Sequence, residues 1–278
     1  MNHNLKIVQS EILKILKIFD KKCKENNLKY YIFYGTLLGA VRHKGFIPWD
    51  DDIDITMPRE DYEKFISLYR DEFFHGYYLD GYNCSRYESY SPVFRINSKN
   101  VLLRRDKGNK EHWIGAFISI FPMDGLPIDV KERNKHIRKL MIIYALLRAS
   151  RSSLFGLGNV KNRSIKEKIV IILNKIIKIG KFIPPARLAE KYNRLASQYN
   201  IENSEFVYIC YDGQSSIFPR SLFDDTVDIE FEHNKYHAPA GYDELLTLYY
   251  GDYMTPPPLS EQSPAHSTDI KIMPQPLV

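Results

Sequence analysis

Gly35-Thr36-Leu37-Leu38-Gly39-Ala40-Val41-Arg42, followed after a short basic loop by Pro48-Trp49-Asp50-Asp51-Asp52-Ile53-Asp54-Ile55, is the stretch whose reading decides the fold. Its second half sets four carboxylates, Asp50, Asp51, Asp52 and Asp54, almost side by side. Like charges repel and strands disfavour Asp, so a strand that begins this way needs a compensating cation. In an extended chain alternate side chains share a face. That gathers Asp50, Asp52 and Asp54 on one side and sends Ile53 and Ile55 to the other. The run reads as a metal-binding edge on a buried strand.

Two other readings fit less well. An EF-hand loop also opens D-x-D-x-D, but it needs Gly at its sixth position and a bidentate Glu at its twelfth, where this chain has Ile55 and Asp61. A solvated acidic turn is opposed by Trp49 before the run and by the apolar pair Ile53 and Ile55 inside it. Hard oxygen ligands select magnesium or manganese, which in enzymes commonly bridge to substrate phosphates. Phosphoryl or nucleotidyl chemistry follows as the leading expectation.

Upstream, Tyr30-Tyr31-Ile32-Phe33-Tyr34 has the aromatic and β-branched character of a strand and ends at Gly35-Thr36. Leu37 to Arg42 then reads as a short helix that Thr36 is free to cap. A helix start is an anion site: its first amides are unpaired, its dipole is positive there, and Gly lets a phosphate approach the backbone. A Gly-Thr helix start on its own is ordinary. Beside a carboxylate strand it supplies a phosphate cradle and a metal site together.

The whole run from Gly35 to Asp54 resembles the signature of the LicD family, which contains bacterial phosphocholine and polyol-phosphate transferases and is similar to the fukutin-related proteins. Weaker resemblance continues through Phe94-Arg95-Ile96, Ile120-Phe121-Pro122-Met123-Asp124-Gly125 and Tyr249-Tyr250-Gly251-Asp252-Tyr253-Met254. It implies an α+β fold with a nucleotidyltransferase-type core, and transfer of a phospho-alcohol from a CDP-activated donor to a hydroxyl of a cell-surface glycan or its lipid-linked precursor. By the family pattern Asp50, Asp52 and Asp54 carry magnesium or manganese, and Gly35 and Thr36 face the donor phosphates. One departure stands out. Family members commonly carry Asp where this chain has Ser119, and that Asp would be the third carboxylate of the site. A hydroxyl is neither a strong metal ligand nor a base near neutral pH. Asp50 or Asp124 would then have to substitute, or one metal is bound weakly, or the chain is a degenerate member.

Length and composition fit one compact enzyme of 278 residues, 44% hydrophobic and 26% charged, neither disordered nor fibrous. A single domain is expected, with a core over about 25–130, a helical insertion over about 131–200 and a C-terminal cap and tail over about 201–278. Cys23, Cys84 and Cys210 form no C-x-x-C pair, which points to reduced thiols and away from zinc or a disulfide framework. With no signal peptide pattern and no long apolar run, a cytoplasmic protein is expected, and contact with the inner face of the membrane is one of two readings of a later helix.

Along the chain, Leu5, Val8, Ile12, Ile15, Leu16 and Phe19 recur at helical spacing, Pro58 opens a helix to about Arg70, and short strands follow near Tyr77–Leu79, Pro92–Ile96, Val101–Leu103 and Ile114–Phe121. Alternating strands and helices at this spacing imply a mixed sheet flanked by helices. Helices are read over Lys135–Arg151, Ser164–Ile183 and Arg187–Tyr199. The second sets Ile165, Ile169, Ile172, Leu173, Ile176 and Ile177 against Lys166, Lys168, Lys175, Lys178 and Lys181. That pattern serves either an interfacial helix on anionic lipid or a surface helix packed on its own domain. Asp228–Phe231 reads as a strand, His237–Gly241 as a loop, Tyr242–Tyr250 as a helix stopped by Gly251, and Ser260–Val278 as a loosely held tail in which His266 is given no role.

The net charge is +5, with cations spread along the chain rather than gathered round an aromatic platform, so nucleic acid is not an expected partner. Arg42, His43 and Lys44 are candidates to balance donor phosphate charge. Arg95 is a phosphate-clamp candidate because its planar fork suits bidentate contact. The expected reaction is attack of an acceptor hydroxyl on the distal phosphorus of the donor, with CMP leaving. A metal-dependent glycosyltransferase using a nucleotide sugar and a non-catalytic binding module are the alternatives.

Overall fold

The computed structural model describes residues 3–82, 84, 91–107, 110–155, 183–209, 213–264 and 269–274. Helix α1 (His3–Glu25) buries Leu5, Val8, Ile12, Ile15, Leu16 and Phe19 on one face, as their spacing dictates, and packs on the sheet. Next come β1 (Tyr31–Ile32), α2 (Tyr34–His43), β2 (Ile53–Pro58) and α3 (Arg59–Tyr69). Strands β3 (Tyr77–Asp80), β4 (Phe94–Lys107) and β5 (Lys110–Gly125) lead to α4 (Val130–Phe155) and α5 (Pro185–Ala196), which pack against each other. The chain continues through β6 (Phe206–Ile209), β7 (Ile217–Pro219), the hairpin β8 (Thr226–Phe231) and β9 (Asn234–Pro239), α6 (Tyr242–Tyr250) and β10 (Ile270–Ile272).

The main sheet runs β1-β2-β5-β4-β10, with β3 also paired to β4, and with β6 on β5 carrying β7. Only β2 and β5 are parallel; the other pairs are antiparallel, so the sheet is mixed and the fold is α+β. Strands β2 and β5 are central, and Ile53, Ile55, Ile118 and Ile120 on them are buried. Carboxylates at the start of β2 are thereby held on the most constrained part of the sheet.

Several sequence expectations are corrected. The strand read over Tyr30–Tyr34 is only Tyr31–Ile32, because the helix already begins at Tyr34. Pro92–Ile96 and Val101–Leu103 are not two strands: β4 runs through both, with an irregularity in its pairing to β5 between Asn97 and Leu102. Gly115 lies opposite that kink, where a Cβ would sit 2.2 Å from the carbonyl oxygen of Ser98. His237, Ala238 and Pro239 belong to β9 rather than to a loop. The tail is fastened as β10, with Ile270 opposite Leu103 and the Met273 amide donating to the Asn100 carbonyl at 2.8 Å. The helix read over Ser164–Ile183, together with His266 and Cys210, lies outside the described residues, Ile183 excepted. Among the described residues no helix is long and apolar enough to cross a membrane.

Candidate active site

Strand β2 begins only at Ile53, so Asp50, Asp51 and Asp52 precede it in irregular backbone. The Asp50 amide donates to the Ile47 carbonyl at 2.9 Å and closes a turn, and Gln9 Nε2 of α1 donates to the Asp50 carbonyl at 2.9 Å. Held this way, Asp50, Asp51 and Asp52 each bring a carboxylate oxygen within 4.8 Å of the others. Strict alternation excluded Asp51 from the cluster, and the turn brings it in. Its side chain is buried, and its amide donates to Asp50 Oδ1 at 3.2 Å.

Electrostatics ties the loop to the strand. Burial, reinforced by the charges of Asp52 and Asp51, pushes the Asp50 carboxyl up to about 8. Burial first, and then Asp52 and Asp50, likewise hold Asp54 well above the carboxylate range, against the opposing pull of Arg95. Carboxylates this close influence one another's protonation. A buried acidic cluster that retains protons near neutral pH is one from which a divalent cation would displace them.

Asp54 stands opposite Ser119 in the parallel β2–β5 register, and Ser119 stands opposite Arg95 in the antiparallel β4–β5 register. Register partners share a face, so Asp54, Ser119 and Arg95 form one row across three strands. Ser119 is buried beside Asp54, and the Arg95 guanidinium lies 4.1 Å from the Phe117 ring centre. Asp124 is not brought into this row. It lies five residues along β5 from Ser119, on the opposite parity, and Arg59 Nε and Nη2 each donate to one of its oxygens at 2.6 Å. Arg59 Nη1 reaches Glu63 at 3.1 Å and Asn193 of α5 at 3.3 Å. Both oxygens of Asp124 are thus engaged by a buried guanidinium away from Asp54, which corrects its expected place beside the other carboxylates.

Helix α2 starts one turn earlier than Thr36, with Phe33 as its N-cap, so the amides of Tyr34 and Gly35 are the ones without intrahelical acceptors. Tyr34 has φ 43, left-handed backbone unusual for a bulky residue, and its hydroxyl donates to the Ile209 carbonyl at 3.1 Å. A Cβ on Gly35 would lie 2.9 Å from Asp50 Oδ2, so the helix start is pressed against the carboxylate cluster. Thr36 is buried, and its hydroxyl accepts the Asp54 amide at 2.8 Å, which joins α2 to β2. Arg42 Nη1 donates to the Tyr253 carbonyl at 2.8 Å, and Arg42 Nε donates to His43 Nε2 at 3.0 Å. Burial and then the Arg42 charge lower the His43 pKa, so His43 is a neutral acceptor rather than a cation. Lys44 caps the helix in left-handed backbone. His43 and Lys44 are exposed at the far end of α2, roughly 12 Å along its axis from Gly35 at 1.5 Å per residue.

Two neighbours escaped the sequence reading. Gln9 is one; a buried polar residue on the apolar face of α1 was its only signal. Tyr250 at the end of α6 is the other. Burial, Tyr249 and then Asp54, Asp50 and Asp52 raise its pKa, which puts its hydroxyl in the field of all three carboxylates. It lies inside the stretch Tyr249–Met254 that carries part of the family resemblance.

Residues 27–145 match the family model described as LicD/FKTN/FKRP, nucleotidyltransferase domain. The chain is 30% identical over 266 residues to the lipopolysaccharide cholinephosphotransferase LicD of Haemophilus influenzae, covering 94% of this chain and 95% of that one. The chain belongs to the LicD family. Two uncharacterised proteins, from Rickettsia prowazekii and Rickettsia typhi, are each 50% identical over 50 residues, or 18% of this chain. The LicD match spans every element of the site from α2 to β5, and the longer alignment reaches nearly end to end.

Proposed function

We propose that this LicD-family chain moves phosphocholine from a CDP-activated donor to a hydroxyl of a cell-surface glycan or its lipid-linked precursor. The observation that carries this reading is the nearly end-to-end match to a lipopolysaccharide cholinephosphotransferase, in a chain that keeps the clustered carboxylates at the start of β2. Magnesium or manganese fits the residues present, since hard carboxylate oxygens converge there and burial makes their uncompensated charge costly. Asp50, Asp52 and Asp54 would hold it, with Asp51 alongside. When bound, such an ion neutralises charge on the donor diphosphate and orients it for in-line displacement.

The chain's own residues supply the rest. Gly35 leaves room for the donor beside the α2 amides, while Thr36 acts through Asp54 by fixing its backbone. Arg95, in the same row, clamps a phosphoryl oxygen through its planar fork. The acceptor oxygen attacks the phosphorus that carries choline, the bond to CMP breaks, and the hydroxyl proton is released to solvent. Arg42, which reaches back to the Tyr253 carbonyl, and Tyr250 form the rim of the site, whereas His43 and Lys44 are exposed at the end of α2 and act on the donor only through the field of Lys44.

A CMP-release assay across CDP-choline, CDP-ribitol and CDP-glycerol, with lipopolysaccharide as acceptor, tests the reading. Turnover with CDP-choline alone supports it. Preference for a polyol donor would redirect it within the family, and release from a UDP-sugar would replace it with glycosyl transfer.

The metal assignment has its own signature. An acid whose folded pKa is raised keeps its proton where the unfolded chain has lost it. The folded state then binds more protons, and stability falls as pH rises between the ordinary carboxylate value of 3.8 and about 8. In chelator, wild type should lose melting temperature from pH 5 to 8 more steeply than Asp50→Asn. Magnesium at pH 8 should restore it in wild type but not in Asp52→Asn/Asp54→Asn. Equal magnesium shifts in both proteins would remove the ion from this cluster.

Ser119 favours one second reading, a chain that binds donor without turning it over. Because Ser119 is the register partner of Asp54, Ser119→Asp adds a carboxylate directly beside it. Turnover should rise by about tenfold or more with little change in donor affinity, in line with the contribution of a positioned acid–base group. No gain in a wild type that already turns over would show that the carboxylates of the β2 start suffice.

A further inference from the structure

Cations in this chain are not evenly spread. Residues 131–200 hold seventeen Lys and Arg against three Glu, a charge of +14 that leaves −9 on the rest of a chain totalling +5. That corrects the reading of a dispersed positive charge. The stretch of sequence that includes α4 and α5 is strongly basic, and the remainder of the chain is acidic.

Between α4 and α5 lies a groove of about 350 Å³ with Ile142, Ile143 and Leu195 on its floor and Lys139, Lys191 and Arg194 around it. Ile142 is 62% exposed, so its side chain stays uncovered although α4 packs on α5. None of the three cations has an ion-pair partner among the described residues. Lys139 also acts on His136, whose pKa is lowered by burial and, against the opposing pull of Asp124, by the Lys139 charge. Un-neutralised cations around an apolar floor complement an amphiphile with an anionic head and an apolar tail.

We propose that the α4–α5 groove is a docking site for anionic lipid at a bilayer surface, with head-group phosphates on Lys139, Lys191 and Arg194 and an acyl segment over Ile142 and Leu195. Single-stranded nucleic acid would use the cations, but it stacks on aromatic rings and gains nothing from an aliphatic floor. The proposal shares with the functional reading only the expectation of a lipid-linked acceptor. Vesicle binding needs neither donor nor acceptor, so either can fail alone.

The test is co-sedimentation of the full chain with phosphatidylcholine vesicles, with or without phosphatidylglycerol, at low and at physiological salt. Binding should require phosphatidylglycerol and weaken with salt. Lys139→Gln/Lys191→Gln/Arg194→Gln should weaken it by about tenfold or more. Ile142→Ser should weaken it several-fold while leaving the salt dependence unchanged. Wild-type melting temperatures and CMP release from soluble acceptor would show that both variants are folded.

Four results would overturn the proposal. One is no binding to anionic vesicles at low salt, and another is wild-type binding by both groove variants. A third is loss of binding only in Lys168→Gln/Lys175→Gln/Lys178→Gln. The fourth is an effect of the triple variant but not of Ile142→Ser, with equal displacement by short RNA or an acidic peptide, which would mark a general polyanion surface.

Discussion

Asp52→Asn should reduce turnover by about a thousandfold or more while raising the melting temperature of the metal-free protein. Under the proposed function, the activity loss follows from removing a carboxylate that would hold the ion on the donor diphosphate, a contribution of several kcal/mol at about 1.4 kcal/mol per decade of rate. The stability gain follows from the same charge seen from the other side. Asp52 is the largest named charge raising both Asp50 and Asp54, so in chelator it is a repulsive neighbour whose neutral replacement relieves the cluster. Opposite signs on rate and stability mark a residue kept for chemistry at a cost in folding. CMP release under saturating magnesium and thermal melting in chelator measure the two. A variant that loses stability together with rate would make Asp52 a structural residue, and one that retains rate would move the site elsewhere.

The run from Gly35 to Asp54 was legible because its parts obey local rules: a helix start after an aromatic strand, then carboxylates against β-branched residues. Less legible was what those rules stop governing. Alternation holds from Ile53 onward, so it correctly separated Asp54 from Ile53 and Ile55. It failed for Asp51, which lies in the turn closed by the bond from the Asp50 amide to Ile47. The β8–β9 hairpin was missed because its two-residue turn is Glu232-His233, with φ of 47 and 62, where Asn-Gly is the usual signal. Neither β10 nor the join across Asn97–Leu102 has a strand signature of its own. Each depends on a partner strand that only the tertiary fold supplies. The place of Ser119 beside Asp54 was implied by family resemblance, and the register bears out that adjacency. Asp124 shows the opposite limit: a carboxylate next to a site motif reads as functional until its partner is known, and Arg59 lies 65 residues away in sequence.

Arg59→Met alone should cost about 3–5 kcal/mol, a large share of the roughly 5–15 kcal/mol that holds a typical domain together. The reason is what it leaves behind. The Asp124 side chain is only 3% exposed, and both of its oxygens are bound by the guanidinium, so the variant strands a buried carboxylate without its counter-charge. Burial alone would lower the Arg59 pKa, and the Asp124 charge more than offsets it. Asn193 of α5 accepts from the same guanidinium, so the loss should also loosen the helical insertion from the sheet. Asp124→Leu together with Arg59→Met should recover most of the stability, because replacing both charges by apolar groups removes the desolvation penalty along with the attraction. Urea denaturation midpoints of the two single variants and the double variant close this cycle. CMP release by the double variant then decides the role of Asp124: activity near wild type makes it structural, whereas a restored fold with lost turnover would return it to the catalytic carboxylates.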